Sequence, residues 1–334
     1  MSHDGPPPAD YTINEAEVAG IVAAHCPQLA GRPVRLLGEG YDNRAFEVGS
    51  DGGDGERWVF RFPRHKAGYE WVQAERRAMP RIADALPLAV PRFEHSAAAG
   101  EYPAAMYGFV AYRRVPGVPC DQLPDATAVD RATAGRQLGE FLRALHAPEL
   151  ATIARECGVP QYAANNLREL AGRSREQLAQ VATPHATSAE LRHWDAQLLA
   201  HANGTPPASD AAAYTDAADR AACLTHADLL PEHMLIDPAT GRLTGVIDWS
   251  DLQLGDPAGD LVAAFMQVER IDPAAVFAAW CDGAPPPDVH ARARLIAACV
   301  GILEGPRGHS PADNLRRARL AVSTLRAVWP TSHD

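Results

Sequence analysis

Between residues 225 and 249 the chain gathers side chains that could move a phosphoryl group. The stretch reads Thr225-His226-Ala227-Asp228-Leu229-Leu230-Pro231-Glu232-His233, then Leu235-Ile236-Asp237, then Gly245-Val246-Ile247-Asp248-Trp249. An alcohol ionises far above neutral pH, so it needs a carboxylate within hydrogen-bond reach to orient it and take its proton. Asp228 is the candidate for that base. A migrating phosphoryl carries charge on its oxygens, and metal ions that bridge the phosphates offset it. Magnesium prefers hard oxygen donors, which suits Asp248. His233, five residues after Asp228, is the second candidate ligand. A neutral imidazole can fill that place and adds a pH dependence that an amide lacks. Each feature alone has a plainer explanation: an H-x-D tripeptide is common, and an aspartate after a strand is often a turn former.

The spacing of Asp228, His233 and Asp248 matches that of protein kinases. There, a catalytic-loop aspartate precedes a metal-binding asparagine by five residues, and a second metal-binding aspartate follows the next strand. The N-terminal third supplies a second set of candidates. Gly38-Glu39-Gly40 between two strands would let backbone lie close to phosphates; an ordinary hairpin turn would read the same. Arg61 stands on the third apolar strand, where kinases carry a phosphate-pairing lysine, and Glu75 on the following helix is its natural partner. Phe60 and Phe62 flank Arg61, so alternation turns it away from their side of the sheet. An outward-facing surface arginine would show the same pattern.

Positioning these groups requires two kinds of structure. Residues 14–29 have helical spacing, with Asn14 as an N-cap and Glu15 and Glu17 in the first turn. Strands are expected at residues 34–37, 45–48, 58–62, 91–94 and 106–112, with a hairpin turn at Asp51-Gly52-Gly53-Asp54-Gly55. A helix over residues 69–86 carries Pro80 inside it. Beyond Pro116-Gly117 the pattern turns helical. Residues 132–145 place Leu138, Phe141, Leu142 and Leu145 on one face, and residues 188–201 form a helix capped by Ser188. Residues 206–213 read as a loop. Short apolar runs flank the turn Pro238-Ala239-Thr240-Gly241. From Leu261 on the pattern is helical again, with a short loop at Pro285-Pro286-Pro287. The expected class is α+β: a small β-rich N-terminal lobe over residues 1–112 and a larger, mainly helical C-terminal lobe over residues 113–334.

The 334 residues are enough for two lobes, and 46% hydrophobic with 22% charged residues is a globular balance. A net charge of -11 argues against a nucleic-acid partner and suits a cationic one, or serves solubility alone. The six cysteines lie scattered without CxxC or zinc spacing, which reads as reduced thiols of a cytoplasmic protein. Neither a signal peptide nor an apolar run long enough for a membrane span is found. The chain is expected to work as a monomer.

At the level of motifs the sequence resembles the aminoglycoside phosphotransferase family, and within it the 2''-phosphotransferase branch. The matching stretches are Gly38-Glu39-Gly40-Tyr41-Asp42-Asn43, Val59-Phe60-Arg61-Phe62-Pro63-Arg64 and Phe109-Val110-Ala111-Tyr112-Arg113-Arg114-Val115-Pro116-Gly117. The catalytic stretch described above and Gly255-Asp256-Pro257 with Asp260 match as well. The resemblance implies a bilobal kinase-like fold, Asp228 as base, His233 and Asp248 as Mg2+ ligands, and Arg61 held by Glu75 on the phosphates. It implies a hinge from Tyr112 through Arg113 to Val115 that reads the purine edge. A tyrosine opening that hinge is associated in the branch with a narrowed pocket and use of GTP rather than ATP. The chain departs from the family at Ala227, usually glycine, at Leu230, often small or polar, and at Arg61 itself.

An aminoglycoside is a polycation, so carboxylates should line its site. Residues 206–334 hold seventeen Asp and Glu against ten Lys and Arg. Asp251, Glu269, Asp272 and Glu304 are the candidates, with Trp280 to pack on a sugar face. A solvated surface residue, or core for Trp280, is the bland alternative for each. The expected function is an antibiotic-resistance kinase for an aminoglycoside. A same-fold kinase for a macrolide or other hydroxyl metabolite, and a non-catalytic nucleotide binder, are the competitors.

Overall fold

The computed structural model describes residues 8–49, 56–123, 127–163, 165–214, 222–267, 269–281, 284–306 and 310–331. The expected turn at residues 51–55 lies outside them. Helix α1 (Glu15–His25) starts where Asn14 accepts hydrogen bonds from the Ala16 and Glu17 amides and Glu17 reaches back to the Asn14 amide. This reciprocal cap satisfies donors that the first turn leaves orphaned. Pro27 then opens a single 3-10 turn (Pro27–Leu29) instead of continuing the helix.

Strands β1 (Val34–Glu39), β2 (Asn43–Val48) and β3 (Trp58–Pro63) follow, then α2 (Lys66–Ile82), β4 (His95–Ala97) and β5 (Phe109–Arg113). They form one antiparallel sheet in the order β1-β2-β3-β5-β4. Alternation along β3 sorts its two faces. Trp58, Phe60 and Phe62 share a core with Phe46, Phe109, Ala111 and the α1 residues Val18, Ile21 and Val22. Val59 and Arg61 face the other way. Pro80 is accommodated inside α2.

Several boundaries differ from expectation: α2 spans Lys66–Ile82 rather than residues 69–86, and two strands are displaced. The fourth strand forms at His95–Ala97 rather than residues 91–94, because the segment opened by Pro91 lacks an amide donor there. The fifth starts at Phe109 rather than residue 106, because Gly108 turns the chain at φ +71°. A Cβ there would sit 2.1 Å from the Ala97 carbonyl oxygen, so only glycine fits.

The remainder is mainly helical: β6 (Val118–Pro119), α3 (Arg131–Leu145), α4 (Pro148–Glu156), α5 (Leu167–Ala182) and α6 (Ser188–Ala202). Then come β7 (Cys223–Thr225), β8 (Met234–Ile236), β9 (Leu243–Val246), β10 (Gln253–Gly255), α7 (Ala263–Met266), α8 (Pro273–Trp280), α9 (Pro287–Glu304) and α10 (Pro311–Val328). Thr187, not Ser188, caps α6, because Glu190 three residues on completes its capping box. The expected loop at 206–213 ends in a 3-10 turn, Ala211–Tyr214.

The larger core runs from α3 through α9 to α10 and takes in Ala78, Met79 and Ile82 of α2. The chain therefore passes between its two cores at β5, yet the second half of α2 already packs on the larger one. The described architecture is a mixed α+β, kinase-like fold. Among the described residues no two cysteines form a disulfide. Among the described residues no helix is long and apolar enough to cross a membrane.

Candidate active site

Strand β7 delivers the segment from His226 to His233 into the space below the sheet. Ala227 adopts φ +67°, a left-handed conformation that L-residues avoid. Asp260 holds it there. Its buried carboxylate accepts from the His226 amide at 3.0 Å, the Ala227 amide at 2.8 Å and His146 Nε2 at 3.0 Å. Trp280 Nε1 donates to His146 Nδ1, so the proton of that imidazole lies on Nε2, facing Asp260. His226 in turn takes the Asp228 amide on Nδ1 and donates through Nε2 to the Ile247 carbonyl. Burial pushes His226 down to about 4, so it stays neutral in that role.

These contacts bring three sequence-distant groups together. His233 Nδ1 donates to the Asp228 carbonyl at 2.7 Å and lies 3.4 Å from Asp228 Oδ2. Its Nε2 faces Asp248 Oδ2 at 3.7 Å. Asp248 itself has φ +61°, which turns its carboxylate into the cleft. Burial disfavours its charge, but Arg61 and His233 outweigh that and hold it at about 2. Burial, with Asp248, Glu232 and Glu304 nearby, pushes Asp228 up to about 6 against the opposing pull of His233.

Arg61 is 4% exposed and stands over the same space from β3. Its Nη1 donates to Glu75 Oε1 at 2.8 Å, and its Nη2 to Asp248 Oδ1 at 3.2 Å and Ser250 Oγ at 2.6 Å. Arg61 and Glu75 are thus partners, as their sequence positions suggested. Ser250 also meets Asn43 Nδ2 at 3.3 Å, which ties the β1–β2 turn to the larger core. Arg64 donates to the Gly40 and Tyr41 carbonyls and fixes that turn from β3. Gly38 and Gly40 are exposed, and a Cβ on Gly38 would meet nothing within 4 Å.

Tyr112 pairs with Val59 across β5 and β3, so it faces the cleft side of the sheet with Arg61. It packs with Val59, Val115 and Leu235, and with Ala45, Phe93 and Ile247 beside them. Ala45 and Val59 come from the sheet, Leu235 and Ile247 from the β8–β9 region. The Arg113 side chain turns outward, over the Trp58 ring and onto Glu94. Only its backbone can serve the cleft.

Beside Asp228 opens a cavity of about 250 Å³. Leu167, Leu229, Leu230 and Val262 line it, and α9 adds Arg292, Ile296, Val300 and Glu304 at spacings of four, one stripe of one helix. Of the five acceptor-site candidates, the structure brings Glu304 to this cavity. Asp251 is exposed and outside the cavity; crowding of its carboxyl by the surrounding protein, with Asp228, Asp248 and Asp42 nearby, pushes it up to about 7. The remaining three do not line the cavity either. Asp272 caps α8 by accepting from the Ala274 amide, and α8 lies against α3 at Gly135 and Gly139. Trp280 is engaged with His146. Glu269 is exposed, near Ser323.

Four residues with clear work in the site had no role assigned from sequence: Asp260, His146, Ser250 and Arg64. Asp260 and Arg64 stood only inside matching motifs, and their partners lie 33 and 24 residues away.

Comparison with known proteins places this geometry. The chain is similar in structure to the GDP complex of wild-type aminoglycoside 2'-phosphotransferase-IIIa, at 23% identity over 93% of this chain and 98% of that one, with a TM-score of 0.65. It is also similar to macrolide 2'-phosphotransferase MphH from Brachybacterium faecium, at 22% identity over 96% and 99% of the two chains, with a TM-score of 0.54. A short segment is 51% identical over 39 residues to the uncharacterized protein YcbJ of Bacillus subtilis (strain 168), spanning 12% of each protein. Residues 33–296 match the phosphotransferase enzyme family, most of the chain and the site described above apart from Val300 and Glu304, and the chain belongs to that family.

Proposed function

We propose that this phosphotransferase moves the γ-phosphate of GTP or ATP onto a hydroxyl of a small amine-bearing molecule of the aminoglycoside class. One observation carries the reading: Asp228 borders both the 250 Å³ cavity and the His233–Asp248 pair. An acceptor in the cavity and a phosphate near that pair would meet at Asp228. The purine would lie between Ala45 and Val59 above and Leu235 and Ile247 below. The Arg114 amide donates to the Arg57 carbonyl. In an extended chain the Arg113 carbonyl and Val115 amide then turn toward the cleft, as a hinge requires.

In the reaction, the acceptor oxygen bonds to the γ-phosphorus, its proton passes to an Asp228 carboxylate oxygen, and the bond to the bridging oxygen breaks to release the nucleoside diphosphate. Arg61, aimed by Glu75, would contact phosphate oxygens. Asp248 fits as a Mg2+ ligand, being a persistent anion, and His233 Nε2, 3.7 Å away, would join it after losing the proton that, against burial, Asp228, Asp248 and Glu232 favour on its ring. Among the described residues no group of three His, Cys, Asp or Glu side chains is set to hold a metal by itself. That suits an ion whose shell the phosphates complete. When bound, Mg2+ would offset the charge of the transferring group.

A second acceptor class has a specific observation in its favour. Leu167, Leu229, Leu230, Val262, Ile296 and Val300 make much of the cavity wall apolar. That wall suits a macrolide, with its large apolar ring. Either acceptor would make the activity one of antibiotic resistance, in a cytoplasm that keeps the six thiols reduced. The test is a phosphate-transfer screen with GTP and ATP against aminoglycosides, macrolides and simple sugars. Transfer that disappears in Asp228→Asn, with nucleotide binding retained, is expected. A folded, nucleotide-binding enzyme that phosphorylates none of these compounds would sink the reading.

A further inference from the structure

Two of the acidic groups that line the acceptor cavity, Asp256 and Glu304, are met by arginines. Arg292 forks onto Asp256, Nε to Oδ2 at 2.7 Å and Nη2 to Oδ1 at 3.1 Å, and takes Asp288 on Nη1. Glu304, at the end of the α9 stripe, is approached by Arg317 Nη1 at 3.7 Å. Arg317 belongs to α10 and does not line the acceptor cavity. It lines a smaller one behind it, which shares Leu230 and Glu304 with the first. From there its Nη2 reaches Glu232 Oε1 at 2.6 Å, and its Nε lies 3.5 Å from Asp313 Oδ1. Its neighbour Arg316 is held by Asp121 and Asp313.

The side chains of Arg317, Glu232 and Glu304 are only 17%, 22% and 24% exposed. Water screens their interaction less than it would on an open surface. Glu232 and Glu304 are also the carboxylates that act on Asp228 from this side. An ammonium group entering along the wall would therefore meet Glu304, whose charge Arg317 offsets in part, with a fixed guanidinium close behind.

We infer that Arg317 tunes the charge selectivity of the acceptor cavity, offsetting part of the Glu304 charge from behind so that a polyamine gains less from the acidic wall than it otherwise would, while a single amine is little affected. The inference rests on the reading of this cavity as the acceptor site. A repulsive element of this kind discriminates without contacting the favoured ligand.

The test is calorimetric binding of kanamycin, a polyamine sugar, and erythromycin, which carries one tertiary amine. The proteins are the parent, Arg317→Gln and Arg317→Lys, with folding checked by circular dichroism and GDP binding. Arg317→Gln is expected to bind kanamycin about tenfold more tightly, while erythromycin stays within about threefold. The kanamycin gain should shrink at high salt and vanish when Glu304→Gln is added. Arg317→Lys should behave as the parent. Arg317→Met, which keeps the aliphatic stem, replaces the glutamine variant if that does not fold. Unchanged kanamycin affinity in the folded variant, or an equal gain for both compounds, would overturn the inference. Phosphate transfer is scored separately. A shifted kanamycin affinity with no transfer to either compound counts against the acceptor reading and leaves the role of Arg317 standing.

Discussion

The Asp260 carboxylate and the Ala227 amide meet at 2.8 Å across 33 residues of chain. Asp260 is fully buried and accepts from two consecutive amides of the catalytic loop. An ionised acceptor makes such bonds stronger than a neutral one. Without it the loop would leave two buried donors unpaired, because no sheet ladder continues past Thr225.

Asp260→Asn tests that support. The amide keeps one acceptor oxygen, but its NH2 would face a backbone donor or His146. Stability is expected to fall by about 1–3 kcal/mol, the scale of an unsatisfied buried donor. Turnover should fall by up to about a hundredfold through misplacement of Asp228. The KM for nucleotide is expected to change little, since none of the proposed purine contacts, Ala45, Val59, Leu235 and Ile247, is bonded to Asp260. Urea unfolding and steady-state kinetics read the two effects. Equal losses in kcat and nucleotide affinity would show that Asp260 supports the whole cleft rather than the loop.

Ala227 stands where the family usually has glycine, and its φ of +67° gives that departure a cost. A left-handed L-residue is strained by about 1–2 kcal/mol, and glycine returns part of the gain through its freer unfolded chain. Ala227→Gly is therefore expected to stabilise the enzyme by about 0.5–1 kcal/mol, read as a higher urea midpoint at unchanged slope. A destabilised variant would mean that the methyl makes packing contacts worth more than the strain.

Local patterns made much of the site readable, and long-range contacts made the rest invisible. Alternation along β3 separated Phe60 and Phe62 from Arg61, and helix spacing set Glu75 within reach. The turn at Gly241 (φ +66°) joins β8 to β9 and returns Asp248 to His233. Asp272 and Trp280 stand outside the cavity beside Asp228 for a reason no window of sequence contains: α8 packs on α3, where Gly135 and Gly139 allow close approach. Glu304 reads as an acidic site residue until Arg317, on another helix, is found beside it. The cap of α6 was a choice between adjacent hydroxyls, and Glu190 decided it.

Asp248 should matter to nucleotide binding through Mg2+. Its carboxylate is held ionised beside Arg61 and faces His233 Nε2. In the parent, Mg2+ is expected to tighten GTP binding, and in Asp248→Ala that enhancement should disappear. Fluorescent-nucleotide titrations with and without Mg2+ measure it. An enhancement in the variant equal to the parent's would remove Asp248 from the metal site.

Tyr112 bears on the choice of nucleotide. It faces the cleft at the end of β5 and packs against Val59, Val115, Leu235 and Phe93. It is 5% exposed, so it fills the back of the purine space rather than lying along its rim. Adenine and guanine present different edges to a hinge. A phenol at this depth would keep adenine from reaching the Arg113 carbonyl and Val115 amide, while guanine could bond in a shifted pose. Discrimination by exclusion alone is worth about 1–3 kcal/mol. The expected result is a higher kcat/KM with GTP than with ATP. Tyr112→Met, which keeps the apolar contacts but can bend aside, should recover ATP use by about tenfold with GTP little affected. The alternative is that Tyr112 serves only the packing between the sheet and the β8–β9 region. In that case the methionine variant would lose stability and treat both nucleotides alike. Steady-state kinetics with both nucleotides separates the two, and equal or better kcat/KM with ATP in the parent enzyme would mean that the tyrosine does not gate the pocket.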